Sequence, residues 1–305
     1  MKLPSLRSRP APDPAPFVVG VGRSGTTLLR LMLDAHPQLA MPPETGFVPG
    51  LIRASKEPGA TPESALAAVT GHRKWGDFPM SEDELLERWR GLDRIRPRPV
   101  VRAFYELYAE HQGKPRWGDK TPGYTMYMGR ISRALPEARF VHVIRDGRAV
   151  ALSRMRTLAL RPVEMSKVAN RWQKRVRKAR AKGAELDHYL EIRYESLVRE
   201  PEATLREVCE FIELEWDPAL LEYHRRSEER LSELDRDIPA WGKKLPRSAE
   251  SRMALHTQTT KPPDPARIDR WREELSAEDV ATFEEVAGDL LTELGYEPAG
   301  ARPAS

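Results

Sequence analysis

A single cysteine, Cys209, stands in 305 residues, so no internal disulfide can staple the fold. Seven histidines are scattered without paired metal-ligand spacing, and no metal is expected in the chemistry. No apolar run approaches the roughly 18 residues that would span a bilayer, so no membrane partner is expected. The opening MKLPSLRSRPAPDPAP lacks the apolar stretch of a secretion signal, and a soluble, cytoplasmic protein is the expectation. Charge of one sign is also scarce. The net of +4, from 50 basic and 46 acidic residues, is too small to imply nucleic-acid binding.

What is present suits one large globular domain: 40% of residues are hydrophobic and 31% charged. The first fifteen residues, rich in proline and without periodicity, read as a disordered arm, and residues 299–305 as a frayed tail. A single domain over 16–298 is expected. Three short runs have strand character: FVVGV from Phe17, RFVHVI from Arg139 and HYLEIRY from His188. Each leads into a helical pattern, so the expected class is α/β, a P-loop-like parallel sheet flanked by helices with extra helical segments. Residues 45–115 and 215–295 read as mostly helical, with Ser caps opening SEDELLERW and SAEDVATFEEVAGDLLTEL. Cys209 shares helical spacing with Leu205, Val208 and Ile212 and is expected in the core. Positive charge is concentrated in residues 167–182, where eight basic residues occur without an acid. Val168, Trp172, Val176 and Ala179 form an apolar seam on that segment. A solvated helix is the default reading, and attraction of an acidic acceptor the functional one.

Between the first strand and its helix lies GVGRSGTT, Gly20 to Thr27. Glycines let the backbone approach a ligand, and a helix N-terminus offers unpaired N–H groups to an anion. Against the triphosphatase pattern G-x-x-x-x-G-K-[ST], Gly20, Gly25 and Thr27 fit, but Thr26 stands where the lysine belongs. Arg23 supplies a cation instead, and Ser24, Thr26 and Thr27 supply hydroxyls, a set suited to a smaller oxyanion terminus. A second anion site is suggested by VIRDGRAVALS, with Arg145 at a strand end and Ser153 about two turns into the next helix. Arg145 paired with Asp146 is the plainer alternative there.

In combination these residues resemble the sulfotransferases that use 3'-phosphoadenosine 5'-phosphosulfate (PAPS). GRSGTTLLRLMLDAHP is similar to their 5'-phosphosulfate loop and RFVHVIRDGRAVALS to their 3'-phosphate motif. LMLDAHPQLAMPPET, WGDKTPGY, RYESLVREPEATLREVCEFI, TTKPPDPARIDRW and LLTELGYEP extend the resemblance toward the tyrosylprotein sulfotransferases and their bacterial relatives.

The resemblance implies that Arg23, Ser24, Gly25, Thr26 and Thr27 bind the 5'-phosphosulfate and that Arg145 and Ser153 bind the 3'-phosphate. Tyr194 and Lys261 would contact the nucleotide, and Ser248 would stabilise the transition state. Lys120, with Arg23, would donate to the leaving oxygen, and Glu44 would be the general base, with His36 as the second candidate. Relatives carry an arginine where this chain has Thr157, a place that Arg154 or Arg156 could fill. The implied activity is in-line transfer of a sulfuryl group from PAPS to a hydroxyl of a small molecule, glycan or tyrosine. Two other readings stay open: a P-loop kinase of a small metabolite, and a non-catalytic nucleotide-binding module.

Overall fold

A computed structural model describes residues 12–157, 164–240 and 246–300. The greater part of the expected arm, the expected tail beyond residue 300 and the Thr157 side chain lie outside them.

Six strands occur among these residues: β1 Ala15–Gly20, β2 Leu39–Ala40, β3 Arg116–Trp117, β4 Asp119–Lys120, β5 Ala138–Ile144 and β6 Tyr189–Arg193. The main sheet has the order β4-β1-β5-β6 and every pair is parallel, which bears out the α/β class. β2 and β3 form a separate two-stranded parallel pair. Every residue of β1 is buried. That follows from helices on both faces, which demand an apolar run rather than an alternating one. Phe17 and Val19 point into a cluster with Trp89, Phe104, Tyr105, Trp117 and Phe140. Val18 points the other way, to Leu29, Met32 and Leu33 of the helix Thr26–Asp34 and to Val208 and Cys209. The Cys209 thiol is buried, and its pKa is pushed up to about 11, chiefly by that burial.

A third cluster caps the carboxyl ends of the strands. Val21 and Ile144 pack there with Ala149, Val150, Trp172, Trp271 and Phe283, which belong to the helices Gly147–Thr157, Met165–Gly183, Trp271–Glu274 and Ala277–Glu293. The basic helix therefore buries Trp172, Val176 and Ala179, as its seam predicts; Val168 is only half-buried, and Ala169 and Met165 complete the buried face.

Three expectations need correction. The strand begins at Ala15, inside the expected arm, because Ala15 donates to the Glu137 carbonyl and the Pro14 carbonyl accepts from Arg116. Residues 299 and 300 of the expected tail follow the last helix as a turn, and the Ala299 N–H donates to Glu284. The edge strand β4 carries no strand signature in WGDKTPGY. Its two residues are paired because Phe17 and Val18 of β1 align with Asp119 and Lys120.

Candidate active site

The cradle forms where β1 and β5 end side by side, Gly20 being in register with Val143. A Cβ on Gly20 would lie 2.7 Å from the Val143 carbonyl oxygen, so only glycine allows the approach. The chain then turns tightly, Ser24 donating to Val21, and Arg23 adopts φ 80° without being a glycine. Gly25 follows at φ 92° and heads the helix Thr26–Asp34, whose first turn has no side-chain cap and so keeps its N–H groups available to an anion.

Two loops distant in sequence meet here. Arg23 Nε donates to Ser153 Oγ at 2.9 Å, and Arg145 donates to the Arg23 carbonyl at 3.2 Å. The Arg23 guanidinium is therefore joined to the Arg145 and Ser153 motif, although it belongs to the first loop. Burial, with Arg145 and Arg247 nearby, lowers its pKa. Such crowding of cations is costly until an anion relieves it. Asp146 pairs with Arg148 instead of Arg145, while the Arg145 guanidinium lies 4.2 Å from the centre of the Tyr194 ring. That ring also covers Gly25: a Cβ there would fall 2.2 Å from Tyr194 Cδ2. Ser24 Oγ and Arg145 Nε are buried without a hydrogen-bond partner. Two orphaned donors in a basic glycine cradle fit a phosphorylated ligand.

Beside the cradle, the fully enclosed Lys120 sends Nζ to within 3.4 Å of Thr27 Oγ1 and 3.0 Å of Glu44 Oε1. Burial lowers its pKa and Glu44 offsets part of the effect. Glu44 Oε2 accepts from Lys74 Nζ at 2.5 Å. Burial raises the Glu44 pKa, but the two lysines more than offset it and hold the carboxyl well below its usual range. The turn bearing Glu44 is pinned by its neighbour. Thr45 Oγ1 donates to Asp119 Oδ2 at 2.8 Å and lies 2.6 Å from the Tyr124 hydroxyl, and its N–H donates to Thr121. Tyr105 donates to the same Asp119 oxygen. Burial pushes the Asp119 pKa up to about 6 against these bonds.

Three expected residues make their hydrogen bonds outside the cradle loops. His36 Nδ1 accepts from the Gln38 N–H and Nε2 lies 3.0 Å from the Glu215 carbonyl, so both ring nitrogens are engaged in tying the turn after the helix Thr26–Asp34 to the loop at Glu215. Ser248 is exposed and its hydroxyl accepts from Ser251 N, capping the helix Ala249–Ala254. Lys261 is also exposed; its carbonyl, not its ammonium, is engaged, by the Tyr223 hydroxyl. Of the two stand-ins for the missing arginine, Arg156 pairs with Glu274. Arg154 is crowded by Arg171 and Arg175, burial being the larger cause of its lowered pKa.

Nothing in the sequence marks three further residues that reach the site. Lys74 comes from the loop before Glu82–Arg90, Arg247 faces Arg23, and His256 follows Leu255, whose carbonyl lies 3.5 Å from Arg23 Nη2. Burial first, then Lys120 and Arg23, hold the His256 imidazole down to about 3, so it is neutral. Among the described residues no group of His, Cys, Asp and Glu is placed to hold a metal ion, and no helix is long and apolar enough to cross a membrane.

Comparison with known proteins agrees with this geometry. The family model described as "Sulfotransferase family" matches residues 14–218. A protein-tyrosine sulfotransferase of Drosophila melanogaster is 26% identical over 294 residues, 93% of this chain but 52% of the fly protein. Protein-tyrosine sulfotransferase 1 of Danio rerio is 27% identical over 93% of this chain and 73% of its own length. The nodulation protein NoeE of Sinorhizobium fredii is 28% identical over 92% of this chain and 65% of its own. The chain thus spans about half the length of the fly protein. In fold, it is similar to the sulfotransferase domain from the Synechococcus PCC 7002 olefin synthase, with TM-score 0.58, 24% identity, and coverage of 94% of this chain and 96% of that one. The family match runs from the residue before β1 through β5 and β6, and so takes in both cradle loops, Glu44 and Lys120: this chain belongs to the sulfotransferase family.

Proposed function

We propose that the protein transfers a sulfuryl group from PAPS to an acceptor hydroxyl, with Glu44 as general base. One observation carries the reading: Lys120 touches both the anion cradle, at Thr27, and the carboxylate of Glu44. A donor to a leaving oxygen and a proton acceptor thus stand next to each other beside a phosphate-type loop, which is the layout that in-line transfer needs.

PAPS, when bound, supplies an activated sulfuryl group. Arg145 and Ser153, joined by Arg23, hold the 3'-phosphate, and Ser24, Gly25, Thr26 and Thr27 receive the 5' end through hydroxyls and helix N–H groups. Tyr194 closes the cradle over Gly25. The acceptor oxygen attacks sulfur, its proton passes to Glu44, and the bond from sulfur to the bridging phosphate oxygen breaks with both electrons going to that oxygen. Lys120 stabilises the charge that collects there. The acceptor is a hydroxyl of a small molecule, glycan or tyrosine, and the setting is cytoplasmic.

Calorimetric titration with 3'-phosphoadenosine 5'-phosphate (PAP), followed by transfer from radiolabelled PAPS to a panel of phenols, alcohols, glycans and tyrosine peptides, tests this. Binding of PAP and label in at least one acceptor are expected. No heat with PAP would overturn the donor assignment, whereas binding with no transfer to any acceptor would leave a nucleotide-binding module.

A further inference from the structure

We propose that Lys74 is a positioning residue for Glu44, occupying Oε2 so that an acceptor hydroxyl must displace it before its proton can be taken. The proposal rests on the base role given to Glu44 above. The two carboxylate oxygens are divided between two cations: Oε1 receives Lys120 at 3.0 Å and Oε2 receives Lys74 at 2.5 Å. Lys120 is fixed by the sheet, since Val18 of β1 aligns with it and its side chain also meets Thr27. Lys74 has no place in the sheet and comes from the loop between the helices Pro62–Thr70 and Glu82–Arg90.

That loop is locked to the Glu44 turn on either side of Lys74. Gly46, two residues after Glu44, has φ 69°, and a Cβ on it would lie 2.8 Å from His72 Cε1, so His72 fits against bare backbone. The His72 ring meets Phe47 edge-on at 5.8 Å. Three residues past Lys74, buried Asp77 accepts from Arg252 at 2.6 Å. The backbone separation of Lys74 and Glu44 is therefore set by packing. The two side chains, 24% and 34% exposed, still reach solvent where an acceptor would enter. Displacement of the lysine head is the cheap motion at this site, because its stem is flexible and its charge can turn to water.

The charged and titratable groups facing Glu44 are Lys120 from β4, Lys74 from this loop and His256 from the segment that follows Ala249–Ala254. Arg73, the neighbour of Lys74, interacts instead with Asp77, Arg247 and Arg252. Lys74 is thus one of two cations that keep Glu44 ionised, and it is the displaceable one. An opposite charge within about 4–6 Å lowers a carboxyl pKa by roughly 1–3 units, so removing it raises the pKa by that order.

The test compares Lys74→Met with Lys74→Arg in the full chain labelled at glutamate carboxyls, with Glu44→Gln identifying the Glu44 signal. The Glu44 titration midpoint should rise by roughly 1–3 pH units in Lys74→Met and return most of the way in Lys74→Arg. The acid limb of kcat/KM for PAPS-dependent transfer should move with it. Should Lys74→Met fail to fold, Lys74→Gln gives the same reading. An unmoved midpoint overturns the proposal, as does a midpoint that moves while the acid limb stays, since Glu44 would then not be the base. A wild-type protein without transfer activity would overturn the sulfotransfer reading by itself, and the carboxyl titration would still decide whether Lys74 governs Glu44.

Discussion

The two halves of the site are built differently. The proposed donor half is two continuous pieces of chain, Gly20–Thr27 and Arg145–Ser153, placed together by a single register between β1 and β5. The proposed acceptor half draws Glu44, Lys74 and His256 from three separate segments outside the sheet and Lys120 from the edge strand β4, and side-chain contacts join them. Backbone geometry thus makes the proposed donor half, and side-chain contacts, with β4 supplying Lys120, make most of the proposed acceptor half. Substitutions should separate them: changes on one side should act on nucleotide affinity, and changes on the other on turnover.

The largest effect should come from Glu44→Gln, which is expected to lower turnover by roughly 10²- to 10⁴-fold while calorimetry shows PAP binding intact. Loss of PAP affinity instead would merge the two halves. Next, Arg145→Ala removes charge-assisted bonds of about 1.5–3 kcal/mol, so PAP should bind roughly 10- to 100-fold more weakly. A weaker effect should follow from Gly25→Ala. It strains a left-handed backbone and drives Cβ into Tyr194, and pairing it with Tyr194→Ala in a double-mutant cycle of PAP affinities should recover part of the loss.

Asp119 gives the comparison a pH axis. Its folded pKa, near 6, lies above the ordinary aspartate value, so the folded state holds the extra proton and its contribution to stability is lost as pH rises from about 4 to 6. Asp119→Asn keeps an oxygen for Thr45 and Tyr105, and denaturant titrations should find it level with wild type near pH 4 and more stable by about 1–3 kcal/mol above pH 6. The smallest effects belong to Ser248→Ala and His36→Ala. Ser248→Ala removes a helix cap worth about 1 kcal/mol and His36→Ala removes loop hydrogen bonds of about the same worth, and transfer rates should stay within about twofold of wild type. A large fall in turnover for Ser248→Ala would return that serine to the reaction.

The same division explains what could be read in advance. The α/β sheet and strands β1 and β5 were legible because strands buried on both faces are apolar runs, the half-buried edge strand β6 from its aromatic and branched residues, and the cradle because glycines and hydroxyls are adjacent in sequence. Glu44 and Lys120 were reached only through resemblance, and the structure brings them together. Lys74, Arg247 and His256 left no trace, because a lone cation in HRKWGDF or RSAESRMALH has no spacing that reveals what it will face. Ser248 and Lys261 were likewise reached only through resemblance; in the structure the Ser248 hydroxyl caps a helix and Lys261 is exposed.

The segment that brings Arg247 and His256 to the site is tied down by buried charge. Arg30 of the cradle helix donates to Glu233, and Arg230 lies 2.7 Å from Asp34 at the far end of that helix. Specificity grafts between relatives must therefore respect a hidden seam. Arg230 and Glu233 cannot be exchanged as surface residues, because replacing either would strand a charge against the cradle helix, a loss on the order of 3–5 kcal/mol. Any transplant of the acceptor mouth has to carry its underside with it.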